Sequence, residues 1–553
     1  MQQLRSGRFN RFAGAVVMSL VALQTLSQVY AASLQGEAAP SARVASGRKT
    51  TDYASRPKLV LSIVVDQLRT DYLEYLQQLM GQEGFRRLMT QGVYLRDVDF
   101  GVSGLDAVSG TSMIYTGAYP NVNGVTGASR YDAQALRNVP SLQSATAGYS
   151  PENLKLSTIS DEVAIDGAGL ATIYAIAADP QQAVVMAGHA GTGAFHLDAS
   201  RGNWATLPYY GDNQQASFML SRRPSLSARI DTMQWKPLLS DLSKYPGIPA
   251  QKRQYPFRHT FPSRARDVYD MFAASARCNE EVTTLAIDCI RTLSMGKRDV
   301  IDMLNIAYTA APFKYVKDGD YRLELEDTYL RLDLQLARLL NAVDQYVGAD
   351  NAVVMLTSTG YYDDATPVDA RYRIPAGDFS ARRAMSLLNS FYCARYGNAD
   401  YVAAYENGRF HLNRKLLQQR DIPLTEAAEA GKDFLERMSG VAEAYTTEEV
   451  TSSSLPALQP LQRITDPREG GDIIISVTPG WNLIDDTRVP STTTPVRLSA
   501  TETPAFFMAP SLTAVTIDTP VDATALAPTF SRILRIRSPN GAAAKPVKLD
   551  ASR

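Results

Sequence analysis

Histidine and cysteine are scarce in this chain. Four His (His189, His196, His259 and His411) and three Cys in 553 residues leave little material for an imidazole- or thiolate-rich metal centre. An odd cysteine count leaves at least one thiol unpaired within the monomer. If "EEVTTLAIDCIRTL" is helical, Cys289 lies roughly 16 Å along the axis from Cys278, at ~1.5 Å per residue. That is beyond disulfide reach, so Cys278, Cys289 and Cys393 are expected as thiols without a catalytic role. Charge of one sign is also missing: 56 Lys and Arg stand against 57 Asp and Glu, a net charge of -1. Nucleic acid or an anionic membrane would call for a basic excess, so neither is an expected partner. There are no long like-charge runs, low-complexity tracts or internal repeats. No stretch reaches the ~20 apolar residues of a membrane span.

What is present starts with Arg5, Arg8 and Arg11 ahead of "FAGAVVMSLVAL" and the small residues of "SQVYAAS". A basic start, a short apolar middle and a small-residue cut site read as a secretory signal peptide over 1–31, cleaved after Ala31. Residues 32–55 read as a linker, 56–540 as the folded body and 541–553 as a tail.

Within the body, "KLVLSIVVD" is an apolar strand ending at Asp66, and an amphipathic run follows it. "GFRRLMTQG" reads as helix and "VYLRDVDF" as strand. "TIYAIAAD" and "AVVMAGHAG" look like strand–loop–strand, and "KRDVIDMLNIAYTAAPF" brings another strand to Pro312. "LELEDTYLRLDLQLARLLNAVDQYVG" has Leu at helical spacing and Gly348 at its end. "AVVML" follows at once as a strand, with "DIIISV" and "TPAFFM" as late strands and "ALAPTFSRILRI" as a closing helix. Strands alternating with helices predict an α/β fold, a mostly parallel central sheet with helices on both faces. Insertions are expected near 130–290 and 365–465.

In such sheets chemistry collects beyond the carboxyl ends of the strands. Yet "VVMLTSTGYYDD" delivers Thr357, Ser358, Thr359 and Gly360, with no His and no carboxylate before Asp363 and Asp364. "RPKLVLSIVVDQLRTDYL", "GTSMIYTGAYPNVNGVTG", the long helix with "AVVMLT", and "GWNL" together resemble the alkaline phosphatase superfamily, closest to periplasmic bacterial phosphatases with a Thr nucleophile. The resemblance runs in order from about 57 to 540 and implies an alkaline-phosphatase-like sandwich with inserted cap segments. It also implies two zinc ions held by carboxylates and imidazoles, and a metal-activated hydroxyl nucleophile.

Residue by residue, the resemblance carries over poorly. Asp66 matches the family's first metal-binding Asp and is the surviving ligand position. The nucleophile falls on Ala107, or with a one-residue slip on Asp106. The Asp-x-x-x-His pair falls on Pro312 and Val316, the Asp-His pair on Thr359 and Gly360, and a last His near Thr493. A supporting Asn aligns with Ala128, and a Lys and an Arg fall about Asp179 and Gln181. The zinc ligands are therefore expected to be lost and no cofactor is expected.

Blander readings stand beside these. Asp66 can cap the following helix, and Asp106 can be a solvated Asp instead of a carboxylate nucleophile. His189 is expected to be a hydrogen-bonded structural His, and the aromatics around 208–235 to be cap packing. Asp363 and Asp364 with Asp66 and Asp106 could instead rebuild an all-oxygen site suited to Mg²⁺ or Ca²⁺. The expectation is an inactive phosphatase-like protein, exported to the bacterial periplasm or cell surface, that binds another periplasmic or outer-membrane protein. The alternative is a phosphate- or sulfate-ester hydrolase.

Overall fold

The structure, a computed structural model, describes residues 56–247, 255–317, 319–363, 376–488, 491–497 and 501–549. The signal-peptide and linker readings (1–31 and 32–55) and Asp364 lie outside these residues. Among the described residues no helix is long and apolar enough to cross a membrane.

Nine strands of the described residues build the main sheet: β1 (Leu59–Asp66), β2 (Val93–Leu95), β3 (Ile173–Ile176), β4 (Gly193–Asp198), β5 (Asn203–Thr206), β6 (Asp302–Thr309), β7 (Ala352–Ser358), β8 (Ala505–Met508) and β9 (Val515–Ile517). Their order is β5-β4-β3-β6-β1-β7-β8-β2-β9. β4 to β3, β3 to β6, β6 to β1, β1 to β7 and β2 to β9 run parallel, while β5 and β8 pair antiparallel.

β1 lies at the centre because it is apolar on both faces, the pattern of a strand covered from both sides. Leu59, Leu61, Ile63 and Val65 enter one core; Val60 and Val64 enter the other. Helices α1 (Ala107–Thr116) and α2 (Pro180–Ala187) cover the second face, and α3 (Ala276–Thr292) and α4 (Arg322–Tyr346) the first. Cys278 and Cys289 both lie on α3, and all three cysteines are free. A separate core forms in 378–477 around a four-stranded sheet, with Phe379, Phe410, Leu435 and Ile473 inside it.

Three expectations need correction. "AVVMAGHAG" is not a strand: Pro180–Ala187 is helical, because Asp179 caps its first turn, Pro180 opens it and Gly188 closes it with a φ of 70°. The 130–290 insertion is smaller than expected, since β3, β4 and β5 inside it belong to the main sheet. Residues 541–549 are not a loose tail: the Val547 N–H donates to Thr529 Oγ1 (2.8 Å), and Val547 and Leu549 pack on the core.

Candidate functional site at the strand ends

Parallel strands β6, β1 and β7 end side by side, so the residues after them converge. Asp66 closes β1, and its backbone carbonyl accepts from the Ala310 N–H just past β6 (2.8 Å). Its carboxylate accepts two hydroxyls, Thr359 Oγ1 on Oδ1 (2.8 Å) and the Tyr361 OH on Oδ2 (3.2 Å). The next residue, Gln67, adopts the left-handed region (φ 60°) and is buried. Its N–H donates to Thr359 Oγ1 (3.1 Å), and its Oε1 accepts the Asp363 N–H (3.0 Å). Asp66 therefore does not cap the following helix; it is locked to the β7 loop. Burial pushes its carboxyl up to about 7; nearby Asp363 and Asp106 add to the rise, and the two hydroxyls oppose it.

Gly360 has a φ of 79°, and the ring of Phe100 stands where a Cβ would project. Gly110 on α1 is equally constrained, because a Cβ there would strike the Thr359 carbonyl. The β7 loop is thus clamped between α1 and the Phe100 ring.

Asp106 and Ala107 stand at the α1 N-terminus. Asp106 is the N-cap, its Oδ1 accepting Val108 N–H (3.1 Å), Ser109 N–H (2.9 Å) and Ser109 Oγ (2.9 Å). Its Oδ2 accepts the Ala128 N–H (2.6 Å). Part-buried at the edge of the cleft and holding these four bonds, that carboxylate is a structural cap. Ala107, the first helical residue, offers its carbonyl to Thr111 Oγ1 (2.6 Å).

Ala128, Asp179 and Gln181 do come together beside Asp106. Gln181 Nε2 donates to the Ala128 carbonyl (2.9 Å), and Asp179 accepts the Gln181 and Gln182 N–H groups at the start of α2 (2.6 and 3.1 Å). Burial raises Asp179, and Asp106 adds to it.

Pro312 is buried, and Val316 packs against the core on the α3–α4 face. Between them Phe313 joins Trp235 and His259 edge-on, and Lys314 reaches back to the cleft. Its ammonium pairs with Asp363 (2.6 Å) and donates to the Thr493 carbonyl (3.2 Å). Thr493 sits on the short strand Thr492–Pro495. His189 is structural: Nδ1 meets Asp161 (3.0 Å), which raises its pKa, and Nε2 meets the Leu154 carbonyl (3.0 Å).

Asp106, Ala128, Lys314, Asp363 and Thr493 line one cleft of about 210 Å³. Glu406, from the 378–477 body, and Asp485 and Arg488, at and just after the end of the strand Asn482–Asp485, line it too, and sequence reasoning missed all three. Burial pushes the Glu406 carboxyl up to about 7, against Arg409 and with Asp106. The one local signal was Asn407-Gly408, a hairpin turn that places Glu406 at the tip of its strand; Asn407 Nδ2 also donates to the Gly104 carbonyl (3.0 Å). Among the described residues, no three His, Cys, Asp or Glu side chains converge as a metal cage.

A profile of the family described as type I phosphodiesterase / nucleotide pyrophosphatase matches residues 60–497. Alkaline phosphatase PafA of Elizabethkingia meningoseptica is 25% identical over 529 residues, covering 91% of this chain and 96% of that protein. Alkaline phosphatase PhoV of Synechococcus elongatus is 24% identical over 519 residues, covering 89% of this chain and 92% of PhoV. The crystal structure of wild-type PafA matches with a TM-score of 0.77 at 25% identity, over 89% of this chain and 98% of that one. The chain therefore belongs to the type I phosphodiesterase / nucleotide pyrophosphatase family, within the alkaline phosphatase superfamily.

Proposed function

We propose that this chain keeps the family's fold without its two-metal hydrolysis and acts as an exported binding or assembly component, with another periplasmic or outer-membrane protein as its partner. Two zinc ions need carboxylates and imidazoles from several strand ends. Apart from Asp66, the positions that the resemblance assigns carry Ala107, Pro312, Val316, Thr359, Gly360 and Thr493. The observation that carries the reading is Gly360. With a φ of 79° and the Phe100 ring in the Cβ direction, the position suits neither His nor any other ligand side chain. These residues do not fit two zinc ions. Export rests on the basic and apolar N-terminal sequence.

A second reading is favoured by the relatives themselves, named alkaline phosphatases and aligned over 91% and 89% of this chain. It is a phosphate- or sulfate-ester hydrolase with a rebuilt oxygen site of Asp66, Asp106 and Asp363, joined in the sequence reading by Asp364, which lies outside the described residues; such a site suits Mg²⁺ or Ca²⁺. In its favour, Asp363 and Asp106 both lie near enough to raise Asp66. Phosphomonoester, phosphodiester and sulfate-ester assays with Zn²⁺, Mg²⁺ and Ca²⁺ separate the two. The first reading expects no turnover; turnover abolished by Asp66→Ala would establish the second.

A further inference from the structure

We infer that the groove beside the strand Val402–Glu406 binds an extended acidic segment of a partner protein by strand addition. This strand is an edge: among the described residues it pairs only with Arg409–Leu412, and it carries an irregularity between Val402 and Ala404. Unpaired edges are templates for another chain unless something covers them. What lies alongside is the hairpin of Ser129–Asp132 and Arg137–Pro140, which adds no ladder of its own. Instead the Asn138 amide donates a single bond to the Tyr405 carbonyl (2.8 Å). The Asn138 Oδ1 beside it is buried and has no hydrogen-bond partner among the described residues.

The space between strand and hairpin is a groove of about 530 Å³, floored by the small Ala403 and Ala404 and walled by Met385. Small side chains along an edge let a second backbone approach. The charge there selects the occupant. Arg137 and Arg488 line the groove and no carboxylate does, although the chain as a whole is balanced. Arg137 is exposed and makes no ion pair within 4 Å among the described residues, although Asp132 stands opposite it across the hairpin, while Arg488 pairs with Asp485 (2.6 Å). On the same hairpin the Arg130 Nε is buried without an acceptor. An extended peptide with acidic side chains supplies both the main-chain bonds and the counter-charge; alternate side chains give the specificity of this recognition mode.

Ala128, Ser129, Tyr405 and Arg488 line both this groove and the strand-end cleft, so the bound segment would pass beside the former catalytic position. The inference rests on the proposed binding role only for its partner; the groove itself is independent of whether esters are hydrolysed.

The test is selection of random peptides of about eight residues from a phage-displayed library on the full mature chain. Binding of the most enriched synthetic peptide is then measured by fluorescence anisotropy, and hydrogen exchange is followed over 402–406. The expected result is enrichment of acidic sequences, with Arg137→Glu and Arg488→Glu each weakening binding at least about tenfold. Arg137→Lys retains most of the affinity, and the amides of 402–406 slow on binding. No acidic enrichment, binding indifferent to both charge reversals, or no protection at 402–406 overturns the inference. Peptide binding together with ester turnover would sink the proposed loss of hydrolysis alone; neither binding nor turnover would sink this inference alone.

Discussion

The hydroxyl of Thr359 donates to Oδ1 of Asp66 at 2.8 Å, tying the end of β7 to the end of β1. With Tyr361 on the other oxygen, the carboxyl is held by two neutral donors in a buried place. Such a seat favours the protonated acid unless a cation arrives.

A pH dependence follows. Asp66 is raised from 3.8 to about 7, so between those values the folded chain keeps a proton that the unfolded chain has released. The contribution to unfolding free energy therefore falls as pH rises from about 4 to 7, and levels off above. Asp66→Asn should match the parent near pH 4 and be more stable at pH 8 by about 1–3 kcal/mol, less than the full shift because Asp66 is only part-buried and solvent screens it. Urea denaturation at both pH values measures it. Destabilisation at pH 8 would instead indicate a bound cation.

Gly360 should not accept a restored ligand. Gly360→His or Gly360→Ala places a side chain at a positive φ and against Phe100, costing about 2 kcal/mol or more. Denaturant midpoints read this directly. Unchanged stability in both variants would mean that the loop relaxes freely and the ligand position remains usable.

Asp106 is expected to matter for stability and not for chemistry. Asp106→Ala removes the α1 cap and leaves the Ala128 N–H without its acceptor, for a loss of about 2 kcal/mol. Urea denaturation of the variant measures the loss.

Thiol titration checks the core. Cys278 and Cys289 are buried, and burial pushes the Cys278 thiol up to about 12 and the Cys289 thiol higher still. Cys393 is partly exposed. A disulfide-exchange reagent should modify Cys393 alone in native protein and all three cysteines after denaturation. Rapid native reaction of the α3 pair would contradict the packing of that helix.

Much of the fold was legible because β1, β6 and β7 are continuous apolar runs and α4 repeats Leu at helical spacing; both signals are local. Residues 183–191 were misread because their apolar run hid the Asp179-Pro180 start and the Gly188 stop. At the site, the strand-end positions were legible through the ordered resemblance, and the structure does bring Asp66, Asp106, Thr359 and Thr493 to one region. Their partners were not legible. Glu406 and Arg488 arrive from segments hundreds of residues after Asp106, and the Asn407-Gly408 turn in "AAYENGR" marks a hairpin without marking its strand as a wall of the cleft. Lys314 sits between two expected ligand positions, yet its pairing with Asp363 depends on two loops meeting in space. Of the two readings of Asp66, the helix cap fails for the same reason: a carboxylate before a helix looks like a cap until the β7 hydroxyls are placed against it.

The most direct test is the metal content of the full chain purified without chelators, by elemental mass spectrometry on folded protein. The account predicts far less than one equivalent of any divalent metal, with a melting temperature unchanged by EDTA. About two tightly held divalent ions per chain, the stoichiometry of a two-metal phosphoryl-transfer centre, would contradict it and restore the hydrolase reading.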